Sequence, residues 1–370
     1  MASRASLLGG AVKRRAATAG RQLWRTARHP AQRRERVRGR IDSLRDAGVR
    51  FESIHPAEDI ERRPARTIDA ELPELFGRLR HHHHPEAFRA VIPNARIAGA
   101  EPIVLTGDLD AVLESTFDLY QLEHNPVLSA RLPHPTRVRG PHACLVNQWC
   151  WAYFHWVLDT LPRASLLPLA QMPELRVVVP DRLSAFHADS LDMIGVPDGR
   201  RVGYDRTQLL MDELWFPSLG RTGNPPRWVV DWLRSTLVPE PASPPSRRLY
   251  VSRADAPSRR VENEAEVRAL LERHGFEVVE GSGMPFAEQL RVFSEASVIV
   301  GPHGAGLVNS FAARDATLIE MMEPRYLNGC YYALADAAGH DYWFLMAESS
   351  GASDLRVDVR RLEATLEAAL

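Results

Sequence analysis

VIVGPHGAGLVNSFAARDATLIE, residues 298–320, joins two β-type runs through a loop that holds three glycines and a histidine. A chain that needed only to turn would use one or two small polar residues. Strand-like and helix-like segments alternate on both sides of the loop. RLYVSR (248–253) reads as a strand, and NEAEVRALLERHG (263–275) as a helix with Asn263 and Glu266 spaced as a capping box and Gly275 as its stop. FEVVE, PFAEQLRVFSEA and SVIVG continue as strand, helix and strand. TLIEMME and YWFLMAE follow the loop as strands, and DVRRLEATLEAAL closes as an amphipathic helix. This alternation is the pattern of a parallel sheet with right-handed crossovers, so the C-terminal part of the chain is α/β.

In such a sheet, ligands bind beyond the carboxyl ends of the strands. Gly301, Gly304 and Gly306 let the backbone approach a ligand closely. The helix that starts after them offers free N–H groups to a phosphate, from Gly304 through Ala305 and Gly306 to Leu307. His303 and Asn309 add polar side chains on either side. The glycine order is G-x-x-G-x-G rather than the G-x-G-x-x-G of dinucleotide sites, which disfavours nicotinamide binding. The plainer alternative is a tight strand-to-helix turn with a satisfied histidine.

Upstream, EPIVLTG, HACLVNQ, LRVVVP and ELWFPS are short apolar runs separated by turn residues, as expected of another α/β unit. VPEPASPPSRR (238–248), with four prolines, marks the boundary. The expected organisation is a basic arm at 1–65, a first α/β domain at 66–237, the linker at 238–248 and a second α/β domain at 249–370.

Two further stretches carry chemistry. In NQWCWAYFHWVLDTLPRASLL (147–167), a helix places His155 and Asp159 four residues apart on one face, where the carboxylate orients the imidazole; Pro162 kinks or ends the helix and Arg163 follows. In RLYVSRADAPSRRVENEAE, Arg253 closes a strand while Arg259, Arg260 and Asn263 lead into the next helix. A guanidinium at a strand's carboxyl end suits a diphosphate; an exposed charged loop is the alternative.

The 370 residues include 45% hydrophobic and 25% charged residues, which describes a soluble globular protein large enough for two domains. The net charge of −1 is uneven: residues 1–50 hold 14 Lys and Arg against 3 Asp and Glu, and so carry +11. This arm, with helical stretches such as RERVRGRIDSLRDAG and an amphipathic pattern at Leu7, Leu8, Val12, Leu23 and Trp24, fits either an anionic membrane surface or a solvated tail. Nearly all cations are Arg, so Arg abundance signals nothing in itself, and no nucleic-acid partner is expected. Cys144, Cys150 and Cys330 make neither a disulfide framework nor a zinc site. No apolar run reaches the ~20 residues of a membrane span, and the first 30 residues lack a signal-peptide pattern, so the expected location is cytoplasmic, with peripheral membrane contact through the arm. HHHH at 81–84 reads as a surface loop, and Asp108 and Asp110 in GDLDAV as a turn rather than a metal-binding D-x-D.

YFHWVLDTLPR, RLYVSRADAPSRRVENE, Gln289 in FAEQLRVFSEA and the loop of residues 298–320, in this order, resemble the family 61 glycosyltransferases, a family with bacterial capsule and cell-surface polysaccharide proteins alongside O-linked N-acetylglucosamine transferases and plant xylan transferases. The resemblance implies two Rossmann-like domains facing a cleft (the GT-B arrangement), with a nucleotide sugar, UDP-linked, held mainly by the C-terminal domain. It implies inverting transfer to a glycan or polysaccharide acceptor without a required metal or other cofactor. On this reading Arg253, supported by Arg259 or Arg260, and the backbone of Gly304–Leu307 hold the diphosphate. His303 lies near the donor, Glu320 contacts the ribose, and Asn147, Arg163, Asn263, Gln289 and Asn309 complete the motifs. His155 is the general base, oriented by Asp159, with a carboxylate elsewhere in the first domain as the other candidate. Many relatives have Glu where this chain has Asp159, one methylene shorter. Two alternatives are another polysaccharide-modifying transferase, such as a pyruvyl transferase, and a non-catalytic nucleotide-sugar-binding subunit.

Overall fold

The computed structural model describes residues 49–370 apart from 118, 129–133, 219, 241–243 and 352, together with the backbone of 37 and 38. The basic arm thus lies almost wholly outside the described residues, and so does its amphipathic pattern. Within the expected helical stretch at 34–48, Val37 and Arg38 instead pair in parallel with Ala111 and Val112 as strand.

The protein is mixed α/β, built on two sheets. The first has ten strands: β1 (Val37–Arg38), β2 (Arg50–His55), β3 (Ala87–Pro93), β4 (Arg96–Ala98), β5 (Ile103–Leu105), β6 (Ala111–Val112), β7 (Thr136–Cys144), β8 (Arg176–Pro180), β9 (Arg201–Tyr204) and β10 (Gln208–Pro217). Its centre, β10-β7-β8-β9, is parallel, while β3 and β4 pair antiparallel with the two halves of the long β10. Val177, Val178 and Val179 of β8 are all buried, the uninterrupted apolar run of a strand covered on both faces.

The second sheet holds β11 (Arg247–Val251), β12 (Phe276–Val279), β13 (Ala296–Pro302), β14 (Thr317–Met322) and β15 (Asp341–Met346) in the order β12-β11-β13-β14-β15, all parallel. Relabelled within the sheet this is 2-1-3-4-5, a doubly wound order. The chain leaves β11 in one direction and β13 in the other, which opens a crevice at their carboxyl ends. The glycine loop follows β13 and Arg253 follows β11, so the two stretches singled out in the sequence flank that crevice.

One apolar cluster runs through both halves, taking in Ala143, Val178 and Leu214 from the first sheet and Leu249, Ile299, Leu318 and Phe344 from the second. The helix Arg227–Leu237 packs between them. Arg234 on it donates from Nε to the Phe311 carbonyl (2.7 Å) and from Nη2 to the Ala338 carbonyl (2.9 Å), satisfying acceptors at the ends of two helices of the second half. Residues 238–240 and 244–246 carry no regular structure.

Two local expectations are corrected. Asn263 precedes the helix Glu264–Arg273 without capping it by its side chain; its amide accepts from Val357 N–H (3.0 Å) and donates to the Val357 carbonyl (2.9 Å), pinning the C-terminal segment as a strand neighbour would. His81–His84 is a strand, not a loop, paired antiparallel with Glu58–Glu61. Strand alternation puts His82 and His84 together, rings 4.7 Å apart, and burial above all pushes both imidazoles down to about 4. Asp108 and Asp110 do lie in a turn, closed by Leu109 N–H to the Thr106 carbonyl at 3.0 Å.

Candidate active site

Gly304 is glycine because Arg253 lies against it. A Cβ at this position would stand 1.9 Å from Arg253 Nη1 and 2.4 Å from Cζ, a distance no side chain can occupy. Gly301 is similarly closed in, by Val251 and by Leu307 from the following turn. Arg253 Nη2 donates to the Ser258 carbonyl at 2.9 Å, while its Nε is buried with no protein partner. Burial, and next the charge of Arg259, lower the pKa of this guanidinium. A half-buried cation whose Nε donor is buried and unused, at a doubly wound switch point, suits an anion.

The cleft beside it has a volume of about 770 Å³ and is walled by Tyr153, Phe186, Arg253, Phe286, Gln289 and Gly306. The loop enters a 3-10 helix, Ala305–Ala312. Ala305 and Gly306 line the cleft, but Leu307 does not contribute its N–H: that group is spent on the Gly304 carbonyl at 3.0 Å, and its side chain is core. Arg259 Nε donates to the His303 carbonyl at 3.1 Å, and its guanidinium lies 4.8 Å over the ring of Tyr326. Arg260 is instead engaged by Asp354 at 2.8 Å, on the exposed surface.

His303 is 5% exposed, and its Nδ1 meets Glu320 Oε1; the other carboxylate oxygen accepts from the Tyr342 hydroxyl at 2.6 Å. Glu320 is fully buried. Both its oxygens are engaged inside the sheet, on His303 and Tyr342, rather than turned to the cleft. The pairing follows from register, since Gly301 of β13 lies beside Glu320 of β14. Burial and the Glu320 charge push the Tyr342 hydroxyl well up, so it stays a donor.

His155 and Asp159 form the expected contact, Nδ1 to Oδ2 at 2.7 Å. A carboxylate can only accept, so Nδ1 donates and Nε2 is left with its lone pair. The helix carrying them is irregular: a single α turn at Tyr153–His155, a π segment at Trp156–Thr160, then a 3-10 run at Leu161–Leu166 entered at Pro162. Proline lacks the N–H an α-helix would use there and crowds the carbonyl four residues back, which forces the wider turn. Asp159 is held further by the Thr222 hydroxyl (2.8 Å) and the Gly223 N–H (3.0 Å). Trp149 packs 4.8 Å from the His155 ring.

Four other expected positions are engaged by the scaffold. Arg163 is buried and spends Nη2 on the Pro217 carbonyl (2.7 Å) at the end of β10. Asn147 donates to Thr160 at 2.7 Å. Gln289 and Asn309 are joined by an Asn309 Nδ2 to Gln289 Oε1 bond (2.8 Å), and Tyr153 donates its hydroxyl to Asn309 Oδ1 at 2.8 Å. This last bond ties the start of the His155 helix to the helix behind the glycine loop. Phe154 makes the second tie: its ring packs edge-on against both His155 (5.1 Å) and Tyr331 (5.7 Å), and Tyr331 lies 5.0 Å from His303. Cys330 marks the same junction, its thiol pushed well up by burial, then by the charges of Glu320 and Asp159.

Two imidazole–carboxylate pairs, each bound through Nδ1, are thus linked through Phe154 and Tyr331, while the neighbouring cleft is lined by Tyr153, Gly306 and the half-buried Arg253 rather than by either histidine. Such a set can take a proton from a hydroxyl and stabilise an anionic leaving group. Thr222, Tyr326, Tyr331 and Tyr342 were not legible in the sequence, because no spacing links them to the histidines. Among the described residues no cluster of three or more His, Cys, Asp and Glu stands where it could share a metal ion, and no helix is long and apolar enough to cross a membrane.

No protein in a curated set matches the chain. Residues 153–319 match the family model Glycosyltransferase 61, a segment that opens at Tyr153, takes in both histidines and Arg253, and stops one residue before Glu320. The match supports membership of glycosyltransferase family 61, and the protein is a glycosyltransferase enzyme.

Proposed function

We propose that the protein is an inverting transferase of the GT-B arrangement that moves a sugar from a UDP-linked donor to a glycan or polysaccharide acceptor of the cell surface. His155 Nε2 takes the proton of the acceptor hydroxyl as its oxygen bonds the anomeric carbon, and the bond from that carbon to the phosphate oxygen breaks. Asp159 stabilises the imidazolium so formed. The departing diphosphate is met by Arg253 and the N–H groups of Ala305 and Gly306, charge-assisted contacts in a cleft partly shielded from water. His303, fixed by Glu320 and Tyr342, presents Nε2 to the donor, and Arg259 backs it through the His303 carbonyl. No metal is needed where a guanidinium and helix N–H groups carry this charge. The +11 charge of residues 1–50 fits peripheral contact with an anionic membrane at the cytoplasmic face.

The observation that carries the reading is the Arg253 guanidinium packed on Gly304 with a buried, unpartnered Nε. Calorimetry of the full chain with UDP, against GDP, CMP and NAD, tests it. Selective UDP binding that Arg253→Ala weakens by tenfold or more supports it. Equal binding of all four, or of none, refutes it.

A further inference from the structure

Tyr326 is an anomaly beside the site. It is 44% exposed, one of the few large apolar side chains among the described residues left open to solvent, yet it is held firmly. Its N–H donates to the Glu323 carbonyl at 3.0 Å. Arg325 next to it bonds Glu323 at 2.7 Å and the Gly351 carbonyl at 3.1 Å, so the loop is anchored to the ribbon Glu348–Ser350/Asp354–Arg356. Arg259 covers the ring as a cation–π partner at 4.8 Å, and the His303 ring stands edge-on at 5.3 Å. Arg259 itself sits at φ 56°, a backbone conformation costly for a branched-chain or bulky residue. A strained backbone thus places a guanidinium that fixes an aromatic ring at the edge of the site.

The order of groups gives the ring a task. Arg253, Ala305 and Gly306 line the cleft, whereas His303, the residue before Gly304, does not, and its ring instead meets Tyr326. If the nucleoside fills the cleft and the diphosphate meets Arg253 and Gly306, the group attached beyond the second phosphate arrives at His303. Tyr326 does not line the nucleotide cleft. An exposed, immobilised aromatic ring with a polar tip suits the C–H face of a pyranose or furanose ring, whose hydroxyls remain free to bond imidazole and water.

We infer that Tyr326 is a sugar-binding platform, contacting the transferred sugar of the donor rather than its nucleotide, and so a specificity-determining residue. The inference rests on the donor-site reading above. The test is calorimetry of the full chain with UDP and with UDP-glucose, UDP-N-acetylglucosamine and UDP-xylose as probes. Tyr326→Ala should leave the UDP Kd within twofold and weaken at least one of the sugar nucleotides by about tenfold. Tyr326→Phe, which keeps the ring, should behave as the unsubstituted protein; Leu327→Ala, the exposed neighbour, serves as the control for loop disturbance. Equal weakening of UDP and the sugar nucleotides by Tyr326→Ala, or weakening of neither, overturns the platform while the donor site stands. Failure of the unsubstituted protein to bind UDP overturns both.

Discussion

Gly304→Ala separates the site from the fold. The φ of Gly304 is 173°, extended backbone that alanine adopts freely, so the substitution adds no backbone strain. What it adds is a methyl at 1.9 Å from Arg253 Nη1, 2.4 Å from Cζ and 2.8 Å from Cδ, overlaps that the arginine can relieve only by swinging off the loop. The side chain gives up its bond to Ser258 and, with it, the place proposed for it at the diphosphate. Charge-assisted hydrogen bonds contribute about 1.5–3 kcal/mol, so UDP should bind about 10- to 150-fold more weakly. The fold should lose less than about 1 kcal/mol, since no core side chain is displaced. Calorimetry gives the first quantity and urea unfolding the second. The decisive comparison is the double variant: Arg253→Ala removes the three atoms nearest the new methyl, so Gly304→Ala added to it should cost no further affinity. Additive losses, or wild-type UDP binding by Gly304→Ala alone, would refute the argument that this glycine exists to seat Arg253.

Three other perturbations follow from the geometry. His155→Ala should lower sugar transfer by about 10²–10⁴-fold with UDP binding unchanged, read as UDP release in the presence of acceptor; a parallel loss of UDP affinity would mean that His155 holds the donor. Tyr153→Phe leaves Asn309 Oδ1 without its hydroxyl donor and should destabilise the chain by about 1–3 kcal/mol in urea, an effect that vanishes if the bond between the halves is incidental. His340 is buried, accepts from the Ala316 N–H (3.2 Å) and donates to the Ser310 carbonyl (2.8 Å), and burial lowers its pKa from 6.5 to about 4. The unfolded chain binds the extra proton first, so the stability His340 lends is whole above pH 6.5 and declines as pH falls toward 4, by on the order of 3 kcal/mol. His340→Gln should flatten that part of the stability–pH curve, and an unchanged slope would place the acid sensitivity elsewhere.

The amino-acid sequence by itself determined what periodicity and short spacing encode. The alternation of strands and helices after residue 247 dictates a parallel sheet, the glycine run dictates a close approach after β13, and the spacing of His155 and Asp159 dictates their contact even through a π segment, because four residues along one helical run remain neighbours. Tertiary structure decided which polar groups face the cleft and which are consumed by the scaffold. Arg163 and Arg253 are alike as letters, yet one is buried in the scaffold on the Pro217 carbonyl and the other is pressed on Gly304 at the edge of the cleft. Glu320 was legible as a strand-end acid, but only the register of β13 and β14 turns it inward to His303. Thr222 and Tyr326 reach the histidines from 67 and 23 residues away in the chain, through loops whose paths depend on how both sheets pack. Such long-range pairings depend on the whole folded surface, so the chemistry of one residue type at one position is settled only when burial has removed its alternatives.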